Sequence, residues 1–327
     1  MTMTSPQHQS ELRTTHSWTE YWAAANAGAL VLDGTDSAGE LVRDFWTSQR
    51  PLFSPSERVI DVGSGNAFLA TVMYPDESSL RACPFWTCID AAHVKLPSTH
   101  RHLSAKVSML ADRNFDQLLG AAHGTDWIVS NFGIEYTDLT NAALACRKNL
   151  KLGGQCLFLM HSAGSVLERQ SRTELGDILF LTEQSDLFGA AAALLPLMAK
   201  AKQPGWMAND QANAARRRYN LAVELVKQQA SLAANASLPL RQILVAIQSA
   251  FDKVTTSSTQ SALNWVAEHQ AAYASTAMRL QNMTQAALDA RSVHELATSF
   301  RALGFDATSV EPLNSKWGQI GWLFRAS

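Results

Sequence analysis

Nine consecutive residues constrain this chain more than any others: Val59-Ile60-Asp61-Val62-Gly63-Ser64-Gly65-Asn66-Ala67. A short apolar run gives way to two glycines and then to a stretch, 67–74, that reads as a helix. A buried strand that delivers a tight turn into a helix points backbone N–H groups at a ligand beyond the carboxyl end of a sheet. Glycine permits close approach there because it has no Cβ. Any nucleotide-like ligand suits such a turn. A dinucleotide site asks for GxGxxG, and the third glycine position here is Phe68. A ring at that place obstructs close helix–strand packing and weighs against an NAD-dependent oxidoreductase.

The rest of the chain repeats the same grammar. Strands are predicted at 58–62, 86–89, 107–110, 127–130 and 155–160, with a helix at 140–150 and a Gly153-Gly154 turn before the fifth strand. Alternating strands and helices imply βαβ units and a parallel sheet. The alternation then stops, because residues 165–290 hold no strand pattern. Leu240, Ile243, Leu244, Ile247, Phe251 and Val254 recur at helical spacing after Pro239. Leu263, Val266, Gln270, Tyr273, Ala277 and Leu280 keep a 3-4 spacing that suits a long helix packed on another. The αβ pattern resumes with a helix at 293–303, a Gly304 stop, and strands near 307–310 and 319–325. Before the first strand, residues 16–49 read as helical, with Trp18, Tyr21, Trp22, Phe45 and Trp46 along them, and residues 1–15 read as a disordered tail.

Acidic residues stand at the ends of the predicted strands. Asp61 precedes the glycine turn by two positions, where a carboxylate can organise the loop or reach a ligand amino group. Asp90 closes the second strand, where an acid can take both hydroxyls of a ribose, and Asp112 lies just past the third. Turn formation and helix capping are the ordinary uses of aspartate at such places. In this order and spacing, residues 59–67 resemble motif I of class I S-adenosylmethionine (SAM)-dependent methyltransferases, and Ile89-Asp90 resembles the second motif of that family. Leu110-Ala111-Asp112-Arg113 is similar to the third, and Ser130-Asn131-Phe132-Gly133-Ile134-Glu135-Tyr136 stands at the fourth-motif position. The resemblance covers roughly residues 50–164 and 290–327.

The resemblance implies a seven-stranded Rossmann-like α/β methyltransferase sheet with an antiparallel last strand, interrupted after strand five by a large all-helical insertion. The domains expected are 16–164 with 291–327 for the SAM-binding unit and 165–290 for the insertion. It also implies S-adenosyl-L-methionine as cofactor, bound by Asp61, Gly63, Ser64, Gly65, Asn66, Asp90, Ala91, Asp112, Arg113, Asn131 and Phe132. Gly63 and Gly65 would pass the methionine part, Asp90 would take the ribose, and Asp112 the adenine amino group, with Asp116 as a competitor for that role. Tyr21 and Trp22 either close over SAM or pack the N-terminal helix. Methyl transfer is a displacement at a sulfonium carbon, which asks the protein to position a nucleophile and, where needed, remove its proton. Glu135, Tyr136 and His161 are the candidates at strand ends. His161 is a general base, a substrate ligand or a structural residue, and Glu135 holds a substrate cation or caps the next helix. An Asn-Pro-Pro-Tyr signature is absent, since Asn131 is followed by Phe-Gly, which argues against an adenine-N6 DNA methylase.

Charge narrows the partner. The chain carries 27 Lys and Arg against 29 Asp and Glu, a formal charge of -2, which supplies no basic field for phosphates. Arg216-Arg217-Arg218 stands out, yet 165–290 holds 11 basic against 10 acidic residues, so a solvated helix face is the reading of that triplet. Trp206 and Met207, beside Pro204-Gly205, read as a loop anchor or a pocket lining. A small-molecule acceptor is expected, with no DNA and no membrane partner, and the insertion is expected to act as a substrate lid or a homodimer surface. An RNA or protein methyltransferase, or a non-catalytic SAM-fold binding or assembly protein, stands as the alternative. Cys83, Cys88, Cys146 and Cys156 form no CxxC pair and suit free thiols; no metal site is expected. The polar start of the chain lacks an apolar signal segment, so a cytoplasmic protein is expected.

Overall fold

A computed structural model of the chain describes residues 6–24, 37–118, 124–201, 203, 207, 209–232, 237–252, 254 and 258–327. Two compact units emerge, one of residues 1–169 and 282–327 and one of residues 170–281.

The first unit is built on a seven-stranded sheet: β1 (Arg58–Val62), β2 (Phe85–Ile89), β3 (Val107–Leu110), β4 (Thr125–Asn131), β5 (Leu150–His161), β6 (Thr308–Ser315) and β7 (Gly318–Ala326). Their order is β3-β2-β1-β4-β5-β7-β6. Only β7 runs against its neighbours, pairing antiparallel with both β5 and β6. The sequence dictates this burial. All of β4 but Asn131 is buried, and Val59, Ile60 and Val62 of β1 lie under cover on both faces, as an interior parallel strand requires.

Helices cover the two faces. On one, α2 (Ser37–Gln49) and α3 (Phe68–Met73) bring Val42, Trp46, Leu69 and Met73 against Val59, Trp86 and Leu157. On the other, α4 (Leu139–Asn149) and α10 (Ala290–Ala302) bring Ala142, Cys146, Val293 and Phe300 against Ile60, Ile128 and Phe158. Asp138 caps α4 and Asp289 caps α10 through side-chain acceptance of backbone N–H groups. Strand β5 begins earlier than the apolar pattern suggested, at Leu150. Gly153, at φ +74°, sits inside it at a register shift of the β4 pairing instead of forming a separate turn.

One expectation fails at the N-terminus. The segment read as a tail is helical from Pro6, in α1 (Pro6–Ala24). Proline suits a first helical turn, and the downstream aromatics of α1 find partners on the sheet, as described below. Residues 1–5, and 25–36 within the predicted 16–49 helical stretch, lie outside the described residues.

The second unit is helical. Between β5 and α10 the chain forms α5 (Val166–Leu179), α6 (Leu187–Ala201), α7 (Asp210–Leu232), α8 (Leu238–Asp252) and α9 (Thr259–Ala286). Its core joins Leu187, Leu195, Val226, Ile243, Ile247 and Val266. The predicted stripe of α8 therefore faces inward. Trp206, Pro204 and Gly205 lie outside the described residues, and Met207 is exposed. Among the described residues no single helix is long and apolar enough to cross a membrane. A bent pair, Val166–Gln184 with Leu187–Ala201, meets the length and composition together, and its Leu187, Phe188 and Leu195 are buried in the helical core.

Candidate functional site

The turn after β1 is shaped by two close backbone approaches. Gly63 and Gly65 adopt φ of +64° and +52°, which favour glycine. Gly63 and Ser64 donate their N–H groups to Ile89 O, at 2.9 and 3.1 Å, so the turn is tied to the end of β2. A Cβ on Gly63 would lie 2.6 Å from Gly133 Cα, and one on Gly133 would lie 2.4 Å from Val62 O. The closest neighbour on the Cβ side of Gly63 is therefore the turn after β4. Ser130 completes this join. Its hydroxyl donates to Val62 O and accepts from Ile134 N, both at 2.8 Å. Gly133 and Ser130 belong to the site, and only their place inside the fourth motif pointed to them.

Asp90 links the turn to β2. One carboxylate oxygen accepts from Gly65 N and the other from Ala92 N, each at 2.8 Å. Burial pushes its pKa up to about 6, against the opposing pull of those two N–H bonds. Asp61 lies beneath, only 1% exposed, and among the described residues neither of its oxygens has a hydrogen-bond partner. Burial, and next the charge of Asp90, raise its carboxyl well above the usual range. Two acids thus lie beside the glycine turn, and Asp61 keeps its acceptors unspent among the described residues, a chemistry that suits a ligand bearing an amino group and sugar hydroxyls.

Asp112 and Arg113 stand at the end of β3 on the surface. Asp112 adopts φ +57° and pairs with His93 Nδ1 at 3.0 Å. Ala91 is exposed beside them. Asp116, by contrast, has one oxygen buried without a partner among the described residues. Asn131 is turned to α2, where its side-chain oxygen accepts from Trp46 Nε1 at 2.7 Å.

The ends of β4 and β5 form a second cluster. Phe132 (φ +55°) stacks on His161 with ring centroids 4.3 Å apart, and Tyr136 meets His161 edge-on at 6.1 Å. Glu135 is buried and accepts from the His161 backbone N–H at 2.7 Å. The helix-capping role expected of Glu135 falls to Asp138 instead. Glu135 Oε2 and His161 Nδ1 are buried without partners among the described residues. Burial moves both groups to neutrality, Glu135 up to about 8 and His161 down to about 3. Near neutral pH this cluster offers one carboxylic acid proton and one free ring nitrogen, without net charge. An imidazole held that low is a good hydrogen-bond acceptor and a weak base.

Helix α1 connects the two clusters. Trp18 meets Tyr21 and Tyr136 edge-on at 5.9 and 5.8 Å, and Tyr21 meets Trp22 at 5.1 Å. Trp22 packs with Ala92 and Val94. Its indole lies over Gly65: a Cβ there would fall 2.3 Å from Cη2 and 2.4 Å from Cζ2. Asn66 donates from its side chain to Trp22 O at 2.8 Å and accepts from Lys95 N at 3.2 Å. The donor set fits an adenosyl amino acid. The Cβ side of Gly65 is covered by the Trp22 ring of α1.

The sheet, its antiparallel seventh strand and the glycine turn on β1 now stand together. The fold is a Rossmann-like α/β sheet with an antiparallel seventh strand, the topology that the resemblance implied. No protein-family model and no curated protein matches the chain. Solved structures do. A SAM-dependent methyltransferase from Leishmania major shares 16% identity over 46% of this chain and 62% of its own length, with a TM-score of 0.34. The [4+2]-cyclase SpnF shares 19% over 50% and 64%, at 0.37. A protein from Bordetella parapertussis shares 12% over 94% and 77%, at 0.42. The chain thus spans somewhat under two thirds of the first two. Similarity at this level carries no argument about activity.

Proposed function

We propose that the chain is a SAM-dependent methyltransferase acting on a small, uncharged acceptor. The observation that carries this reading is the joint between Gly65 N–H and the Asp90 carboxylate, with the unpartnered Asp61 beneath it. Carboxylates with spare acceptor sites recognise hydroxyls and a cationic amino group, and glycines leave room for the backbone to approach them. Asp90 would hold the ribose hydroxyls and Asp61 would answer the amino group, directly or through the loop. SAM, when bound, supplies an electrophilic methyl group. Phe132, Tyr136 and His161 would form the wall against which the acceptor is positioned, with His161 Nδ1 accepting a hydrogen bond and Glu135 Oε2 donating one while protonated. The neutrality of that wall, and the near-zero charge balance of the chain, favour an uncharged small molecule over RNA. The helical unit would serve as a lid or as a homodimer surface.

A second reading is a non-catalytic SAM-fold binding or assembly protein, favoured by the cover that Trp22 places on Gly65. Calorimetry decides whether the adenosyl site exists. SAM and S-adenosylhomocysteine should bind at micromolar or tighter affinity, roughly -8 kcal/mol or better. Asp90→Ala should weaken both by about 1.5–3 kcal/mol, the range for hydrogen bonds to a charged group, while the melting curve confirms that the variant folds. Preference for NAD, or affinity unchanged in Asp90→Ala, would contradict the assignment.

A further inference from the structure

We propose that Trp22 is an intramolecular plug: its indole holds the Gly65 face of the adenosyl site, and ligand entry requires α1 to lift. The proposal rests on the adenosyl reading of the glycine turn. Three ring atoms of Trp22 lie within 2.8 Å of where a Gly65 Cβ would stand, so the ring is seated directly on the backbone of the turn. Trp22 is 7% exposed and packs with Ala92 and Val94, residues of the loop that follows Asp90. The polar links that hold the helix down include three between side chain and backbone or side chain and side chain. Asn66 Nδ2 donates to Trp22 O at 2.8 Å, His93 N donates to Thr19 Oγ1 at 3.0 Å, and Trp18 Nε1 donates to Asn282 Oδ1 at 3.1 Å. The first two anchor α1 to the glycine turn and to the loop after Asp90. One volume cannot hold both an indole and a ligand. A ligand admitted only to the lifted state therefore binds with its intrinsic affinity reduced by the fraction of molecules that are open.

Loosening the helix should raise affinity, which is the opposite of what a residue contacting the ligand would show. Trp22→Ala removes the seated ring, and Thr19→Val removes one anchoring acceptor while keeping the side chain's shape. With S-adenosylhomocysteine as the probe in calorimetry, Trp22→Ala should bind roughly tenfold more tightly and Thr19→Val roughly threefold. In the unaltered protein the probe should speed hydrogen exchange of the amides of residues 14–24. Affinity unchanged or weakened in both variants, or slower exchange of those amides on binding, would overturn the plug and make Trp22 a cover over the ligand or a plain packing residue. Thr19→Val keeps the test open should Trp22→Ala fold poorly. If the probe binds the unaltered protein without gain in the variants, the plug alone falls. If it binds none of the three at millimolar concentration, the adenosyl reading falls and takes the plug with it.

Discussion

Glu135 and His161 lie in the same buried cluster and titrate in opposite directions. Glu135 moves from an ordinary 4.5 up to about 8, so the native state keeps a proton that the unfolded chain releases across that interval. It therefore makes the fold less stable as pH rises from 4.5 towards 8. Asp90, raised to about 6, adds a loss of the same sign at lower pH. His161 moves from 6.5 down to about 3, so the unfolded chain gains a proton that the native state refuses, and stability falls as pH drops through that window. A tenfold difference in proton affinity between the folded and unfolded chain is worth about 1.4 kcal/mol. Asp61, raised well above the usual range by burial, adds a loss of the same sign, and Glu135 departs further from its ordinary value than Asp90 does. Glu135→Gln should flatten the decline in urea midpoint between pH 4.5 and 8; an unchanged slope would place that decline elsewhere. Much at this scale was legible in the chain. The turn after Val62, Asp61 and Asp90 announce themselves through glycines and strand ends. The contact of Gly63 with Gly133 does not, because it depends on how closely two turns approach in space. Nor does the neutrality of Glu135, which burial alone creates.

Periodicity located the helices that bury one face and missed the first turns of α1, which precede its aromatics. In α8, Leu240, Ile243, Ile247 and Phe251 recur at helical spacing and are all buried. In α1 the contacts come from Trp18, Tyr21 and Trp22, within little more than one turn, and the polar residues before them gave no apolar rhythm. Strand β6 likewise runs to Ser315, past the predicted 310, because its register with the last strand continues through a polar, partly exposed stretch. Ile247 tests the element whose pattern was clearest. Fully buried in the helical core, it should cost about 2–5 kcal/mol when truncated to alanine, read as a fall in the urea midpoint. A change below roughly 0.5 kcal/mol, the size of an ordinary surface substitution, would mean that α8 does not pack as described.

Across the whole molecule, the interruption of the αβ rhythm after the fifth strand was readable because 165–290 contains no strand pattern, and the chain there folds as a unit of helices, 170–281. How that unit serves the reaction was not readable. A charge balance of -2 and 11 basic against 10 acidic residues in the helical stretch exclude a strong phosphate field but select no particular small molecule. What the whole fold does specify is one edge of the sheet, where the carboxyl ends of β1, β2, β4 and β5 gather Asp61, Asp90, Glu135 and His161. A crystal structure grown with S-adenosylhomocysteine tests that convergence most directly. The account predicts ribose hydroxyls on Asp90, the amino-acid end against the turn at Gly65, and the indole of Trp22 displaced from it. A structure with the indole still seated on Gly65 and the nucleoside bound elsewhere would contradict it.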